Sequence, residues 1–129
     1  MVAAVGVVND LVAGDLRIAV VEDGKLVRCD WSGRSVEREA DLTLRPFFDR
    51  LLERVQELGA LLEMHFEELD YFNSSTIGTL ISFIQKARRQ KVHLRMVYAG
   101  NIKWQTLSFD ALRMFERGDQ LFELKAASP

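Results

Sequence analysis

The chain has 129 residues, 48% of them hydrophobic and 28% charged, which is the composition of a globular protein long enough to bury one core and excludes wholesale disorder. Nineteen acids against 17 bases leave a formal charge of −2, so no strong positive field exists to gather nucleic acid or an anionic membrane. With one cysteine and two histidines, an internal disulfide and the four-ligand cysteine/histidine zinc sets are excluded, and the cysteine usage fits a reducing cytoplasm. A single domain over residues 1–129 is expected.

Val2 to Val8 is apolar but carries no basic segment in front, and Asn9-Asp10 interrupts it far short of a membrane span. No signal peptide and no membrane insertion are expected, and residues 1–14 read as a first strand or a partly ordered arm. Leu16, Ile18 and Val20 alternate with other residues, as do Val27, Cys29 and Trp31, with Asp23-Gly24 between them. That pattern predicts a β-hairpin closed by a tight turn with positive φ. Ser32 to Asp41 is polar and charged and reads as a surface connection.

Pro46 fits the first turn of a helix, followed at helical spacing by Phe48, Leu51, Leu52, Val55 and Leu58 before Gly59. Leu62, Met64 and Phe66 alternate with Glu63, His65 and Glu67, the pattern of a strand with one buried face. After Tyr71-Phe72-Asn73-Ser74-Ser75-Thr76, the stripe Ile77, Leu80, Ile81, Ile84 and Ala87 predicts a second helix. It is capped in front by hydroxyl and amide side chains and ends in Lys86, Arg88, Arg89 and Lys91, as the helix dipole favours. Val92, Leu94, Met96 and Tyr98 predict another strand, broken at Gly100-Asn101. Trp104, Leu107, Ala111, Leu112 and Phe115 predict a last helix ending near Gly118, and Leu121, Phe122 and Leu124 form a closing strand or a final helical turn. Strands alternating with helices after an opening hairpin imply an α/β fold, a mixed and mostly parallel sheet with about three helices packed on it.

In such a sheet, ligands and partners meet the loops at the carboxyl ends of strands, where Asn73-Ser74-Ser75-Thr76 falls. Hydroxyl and amide residues at a helix start satisfy unpaired backbone N–H groups, and those N–H groups also favour an anion such as a phosphoryl group. Capping alone accounts for many such clusters. His65 and His93 read as solvated or hydrogen-bonded side chains, Cys29 as a small buried hydrophobe, and Trp104 as core packing or a helix-end lid. Neither G-x-S-x-G nor a P-loop occurs, so no enzyme and no cofactor are expected.

From Leu62 through Tyr98 the chain resembles a STAS domain, in which a hydrophobic strand ends in an aspartate followed by hydroxyl residues and a glycine that open an apolar helix. The residues that carry the resemblance are Phe66, Leu69, Tyr71-Phe72, Asn73-Ser74-Ser75, Ile77-Gly78 and Leu80. Asn73 stands for the aspartate and Thr76 for the glycine. The asparagine and hydroxyl arrangement, with the stretch from Arg34-Ser35 to Pro46-Phe47, is similar to bacterial phosphoproteins that regulate biofilm formation and surface attachment.

The resemblance implies an anti-sigma-factor antagonist, a cytoplasmic signalling protein that acts in transcription regulation by partner switching. Its partners would be an ATP-binding serine kinase or anti-sigma factor and a phosphatase. Ser74 would be the phosphoacceptor, with Ser75 second to it, and Tyr71, Phe72, Asn73, Ser75, Thr76 and Gly78 would meet the partner. The alternative is a constitutive STAS adaptor that binds a transporter, sensor or small ligand without phosphorylation. The protein would be a monomer or weak homodimer, since an exposed sheet edge at the hairpin can pair or stay bare.

Overall fold

The computed structural model describes residues 6–127. Three strands open the fold: β1 (Leu11–Ala13), β2 (Leu16–Asp23) and β3 (Leu26–Ser35). Then follow α1 (Ala40–Leu58), β4 (Leu61–Phe72), α2 (Ser74–Arg89), β5 (Leu94–Ala99), α3 (Lys103–Asp110), a short 3-10 turn (Arg113–Phe115) and β6 (Phe122–Ala127). The strands form one sheet in the order β1-β2-β3-β4-β5-β6. The β1–β2 and β2–β3 pairs are antiparallel, and β3–β4, β4–β5 and β5–β6 are parallel. This is the mixed, mostly parallel α/β sheet with an N-terminal hairpin that the pattern predicts. The hairpin turns where Asp23-Gly24 places it, with Asp23 paired to Leu26 and positive φ at Gly24.

All three helices lie on one face of the sheet. Phe48 of α1 meets Trp31 of β3, the Phe83 ring of α2 lies tilted against Phe48 at 4.4 Å, and Phe109 of α3 meets Phe66 of β4 and stacks on Tyr98 of β5. The alternating residues Val27, Cys29, Trp31, Leu62, Met64, Phe66, Leu94 and Met96 fill this side and are all buried. Burial pushes the Cys29 thiol up, so it stays protonated and inert, as a small core hydrophobe does. Among the described residues no helix is long and apolar enough to cross a membrane.

The opposite face of the sheet is charged. Arg28 pairs with Asp30, Arg95 bridges Glu63 and Glu123, and each ring nitrogen of His65 is hydrogen-bonded to a carboxylate oxygen, of Glu63 or Glu67. Burial raises the affinity of the Glu63 carboxyl for its proton, but hydrogen bonds from His65 and Arg95 outweigh it and hold the group below its ordinary 4.5. A depressed carboxyl adds stability that is present above the unfolded value and lost as pH falls through the folded one. Thermal midpoints measured from about pH 5 to pH 3 are therefore expected to fall less steeply for Glu63→Gln than for wild type.

Several element boundaries differ from the sequence reading. The supposed connection Ser32–Asp41 holds the last four residues of β3 and the start of α1. Helix α1 begins at Ala40, so Pro46 lies inside it. Two features outside the local pattern extend it: Ala40 and Leu44 continue the buried stripe, and a side chain from α2 caps the Ala40 amide. Pro46 deprives the Leu42 carbonyl of its helical partner, and Leu42 is 68% exposed, so water can take that place. The last helix does not run to Gly118; α3 stops at Asp110 and the 3-10 turn follows. Its buried residues are Gln105 and Phe109, with Leu112 beyond, whereas Leu107 is 63% exposed. The helix is rotated away from the stripe that apolar spacing suggests. Of Leu121, Phe122 and Leu124, the last two lie in a strand, β6, and the 1–14 segment contributes the edge strand β1; residues 1–5 lie outside the described part.

Candidate functional site

The carboxyl ends of β3 and β4 converge on the start of α2. Strand β3 reaches this point through irregular register against β4 between Asp30 and Ser32 and between Gly33 and Arg34. Gly33 is required there: its φ is +84°, and a Cβ on it would sit 1.9 Å from the Asp15 carbonyl oxygen. Beyond it, the Ser35 carbonyl accepts the Asn73 amide at 3.0 Å and ties the two strand ends together.

Asn73 is the N-cap of α2. Its Oδ1 accepts the Thr76 amide at 2.9 Å, while its Nδ2 donates to the Glu37 carbonyl at 2.9 Å. An aspartate here would cap equally well but has no proton for Glu37. The asparagine thus holds the β3–α1 connection against the helix start.

The three hydroxyls that follow have separate fates. Thr76 is fully buried; its Oγ1 lies 2.6 Å from the Ser35 hydroxyl and reaches Asn73 Oδ1 at 2.9 Å and the Ser35 carbonyl at 3.3 Å. With one proton to give, it donates to one of these three, and in the hydroxyl pair either Ser35 or Thr76 can be the donor. Ser75 is half-buried, and its Oγ accepts the Ala40 amide at 3.0 Å, the cap that α1 lacks from its own N-cap residue Glu39. Ser74, the first residue of α2, is exposed. Its side chain makes none of the described hydrogen bonds. The helix N-terminus, with first-turn amides lacking intrahelical acceptors, lies directly beneath it.

The other residues predicted to meet a partner divide. Tyr71 is 44% exposed and lies 6.2 Å from Trp104, with the Arg34 guanidinium 6.0 Å from its ring. Gly78 is exposed on α2. Phe72 and Thr76 are corrected: at 3% and 0% exposure they belong to the core and offer a partner no surface. Phe72 points inward because the alternation of β4 breaks after Phe66, which leaves Leu69 and Phe72 as the next buried positions. Trp104 is half-buried and packs edge-on against Phe72 at 5.2 Å, a lid over the strand end.

One positioning residue lies outside the sequence-predicted set. Strand β4 pairs with β5 only from Leu62 to His65 and then continues alone on that side. Gln105 of α3, fully buried, fills the gap: its Nε2 donates to the carbonyls of Phe66 at 2.7 Å and Leu69 at 3.1 Å, and its Oε1 accepts the Ala99 amide at 2.7 Å. The side chain acts as a length of missing strand. Its only local signal is a polar residue within an apolar helix.

No protein-family model matches the chain, and no curated protein does so. Among solved structures it is similar to an uncharacterised protein of the DUF3478 family from Shewanella loihica, described as having a SpoIIAA-like fold. The two share 14% identity over 88% of this chain and 86% of that one, with a TM-score of 0.55. The similarity establishes the fold, the SpoIIAA-like arrangement expected from the resemblance to STAS domains.

Proposed function

We propose that this protein is a non-catalytic signalling module of the anti-sigma-factor-antagonist type, whose binding to a protein partner is switched by phosphorylation of Ser74. The observation that carries the reading is the division of labour among the three hydroxyls. Ser75 caps α1 and Thr76 is sealed in the core, whereas Ser74 is exposed and engaged by none of the described hydrogen bonds. A kinase can reach Ser74 without disturbing the fold; modifying either neighbour breaks a hydrogen bond that joins α2 to β3 or α1.

The electrostatics favour the same site. A phosphoserine brings about −1.5 to −2 charges, which the positive end of the α2 dipole accommodates. A partner packed over the same helix start would have to desolvate that charge, so phosphate acts on binding and leaves the fold intact. The partner in this reading is a serine kinase or anti-sigma factor in the cytoplasm, with a phosphatase to reverse the mark.

Intact-mass measurement of the protein recovered from its native cell tests this. The expected result is a fraction carrying one phosphoryl group, absent from Ser74→Ala and retained in Ser75→Ala. An unmodified mass under every growth condition would overturn the switch and favour the constitutive adaptor.

A further inference from the structure

The apolar spacing in the last helix produces a stripe on the outside of the protein. Gln105, Phe109 and Leu112 take the inward positions, which leaves Trp104, Leu107, Ala111 and Met114, three or four residues apart, along one outer line. Ala111 and Leu112 keep right-handed helical dihedrals, so the line continues past the end of α3 into the 3-10 turn. Leu107 is 63% and Met114 77% exposed, Ala111 is exposed, and the half-buried Trp104 lies 6.2 Å from the exposed Tyr71 ring. Single exposed hydrophobic residues are ordinary, whereas a continuous row of them marks an interaction surface.

We propose that this row is a self-association surface, at which two copies of the chain pair their α3 helices antiparallel about a two-fold axis near Leu107. Charge complementarity selects a second copy as the occupant. Lys103 and Asp110 are both exposed and stand two turns apart on the same side of the row, with their midpoint beside Leu107. A two-fold axis there sets Lys103 of each copy opposite Asp110 of the other, so the same ion pair forms twice. Lys103 makes no ion pair among the described residues. Asp110 holds Arg113 through Oδ1 at 3.1 Å, and its Oδ2 makes none of the described hydrogen bonds, so it can accept an ammonium group without releasing Arg113.

The same axis brings Leu107 against its own copy and Trp104 against Ala111, a large side chain opposite a small one. The rim of the row, Lys103, Asp110, Arg113, Glu116 and Arg117, is of mixed sign. Mixed charge suits a surface that must match itself better than it suits an acidic peptide, nucleic acid or an anionic membrane. Contact through one short helix is small, so the dimer is weak and populated only at high micromolar concentration.

Sedimentation equilibrium of the full-length protein over a concentration series tests this. The wild type should dimerise reversibly. Leu107→Glu should weaken association at least tenfold with an unchanged thermal midpoint, which separates a lost contact from misfolding. Lys103→Asp and Asp110→Lys should each weaken it several-fold, and a mixture of these two variants should associate more tightly than either alone, since opposite charges then face each other at both pairs. A wild type that stays monomeric throughout would overturn the proposal and leave the row to a different protein or a lipid surface. So would a dimer that Leu107→Glu leaves intact, the result of pairing through a sheet edge, or a mixture no tighter than its components. None of these outcomes depends on Ser74, whose phosphorylation is read by the mass measurement alone.

Discussion

Replacing Gln105 by alanine is expected to destabilise the protein by about 3 kcal/mol, well beyond the effect of an ordinary polar substitution. The side chain satisfies two carbonyls of β4 and one amide of β5 on the side where these strands no longer pair, and the three hydrogen bonds are buried. Truncation leaves these buried groups unpaired and opens a cavity beside them. Thermal denaturation should show the midpoint falling by about 10 °C for a domain of this size. Gln105→Glu separates the two contributions: it preserves volume and the acceptor for Ala99 but removes the donor to Phe66 and Leu69. A midpoint within about 2 °C of wild type for both variants would show that these hydrogen bonds do not hold the strand end.

The second large effect is expected at Phe66, where alanine should cost about 3–5 kcal/mol. Its ring lies 4.9 Å from both Trp31 and Phe109 and 6.4 Å from Phe72, so it joins β3, α3 and the end of β4. Urea denaturation should show a lower midpoint with an unchanged slope, since the native state keeps its surface and loses only packing. Phe66→Leu should recover more than half of the loss because it restores most of the volume. An alanine variant as stable as wild type would mean that the aromatic cluster is not the core that positions Asn73 and Ser74.

The two substitutions act on one feature, the rigid delivery of the β4 end to the start of α2. Ser74 lies two residues beyond Phe72, and the strand end is held on one side by Ser35 and on the other by Gln105. In the proposed switch, this fixed frame would let a mark on Ser74 alter binding while leaving the sheet unchanged.

Elements governed by neighbouring residues were legible in advance. The hairpin at Asp23-Gly24, the buried alternation of Leu62, Met64 and Phe66, and the helix after Asn73 depend on turn dihedrals, side-chain period and capping, all of which act within a few residues. Where long-range contacts compete, the same reasoning failed. Pro46 signals a helix start, but the true start is stabilised by Ser75, 35 residues away in sequence. The spacing of Trp104, Leu107 and Ala111 suggests a buried stripe, but the need of Phe66, Leu69 and Ala99 for hydrogen-bond partners turns α3 so that Gln105 faces inward and Leu107 outward.

By itself the sequence determined the α/β class, the order of strands and helices, and the position of a hydroxyl cluster at a helix N-terminus, because periodicity and caps are local. Only the tertiary structure decided which hydroxyl is left without a hydrogen bond among the described residues. Ser75 is committed to Ala40 and Thr76 to Ser35, partners 35 and 41 residues distant. Such pairings leave no trace in spacing or composition, since a buried hydrogen bond is fixed by which chain segments the folded core brings together.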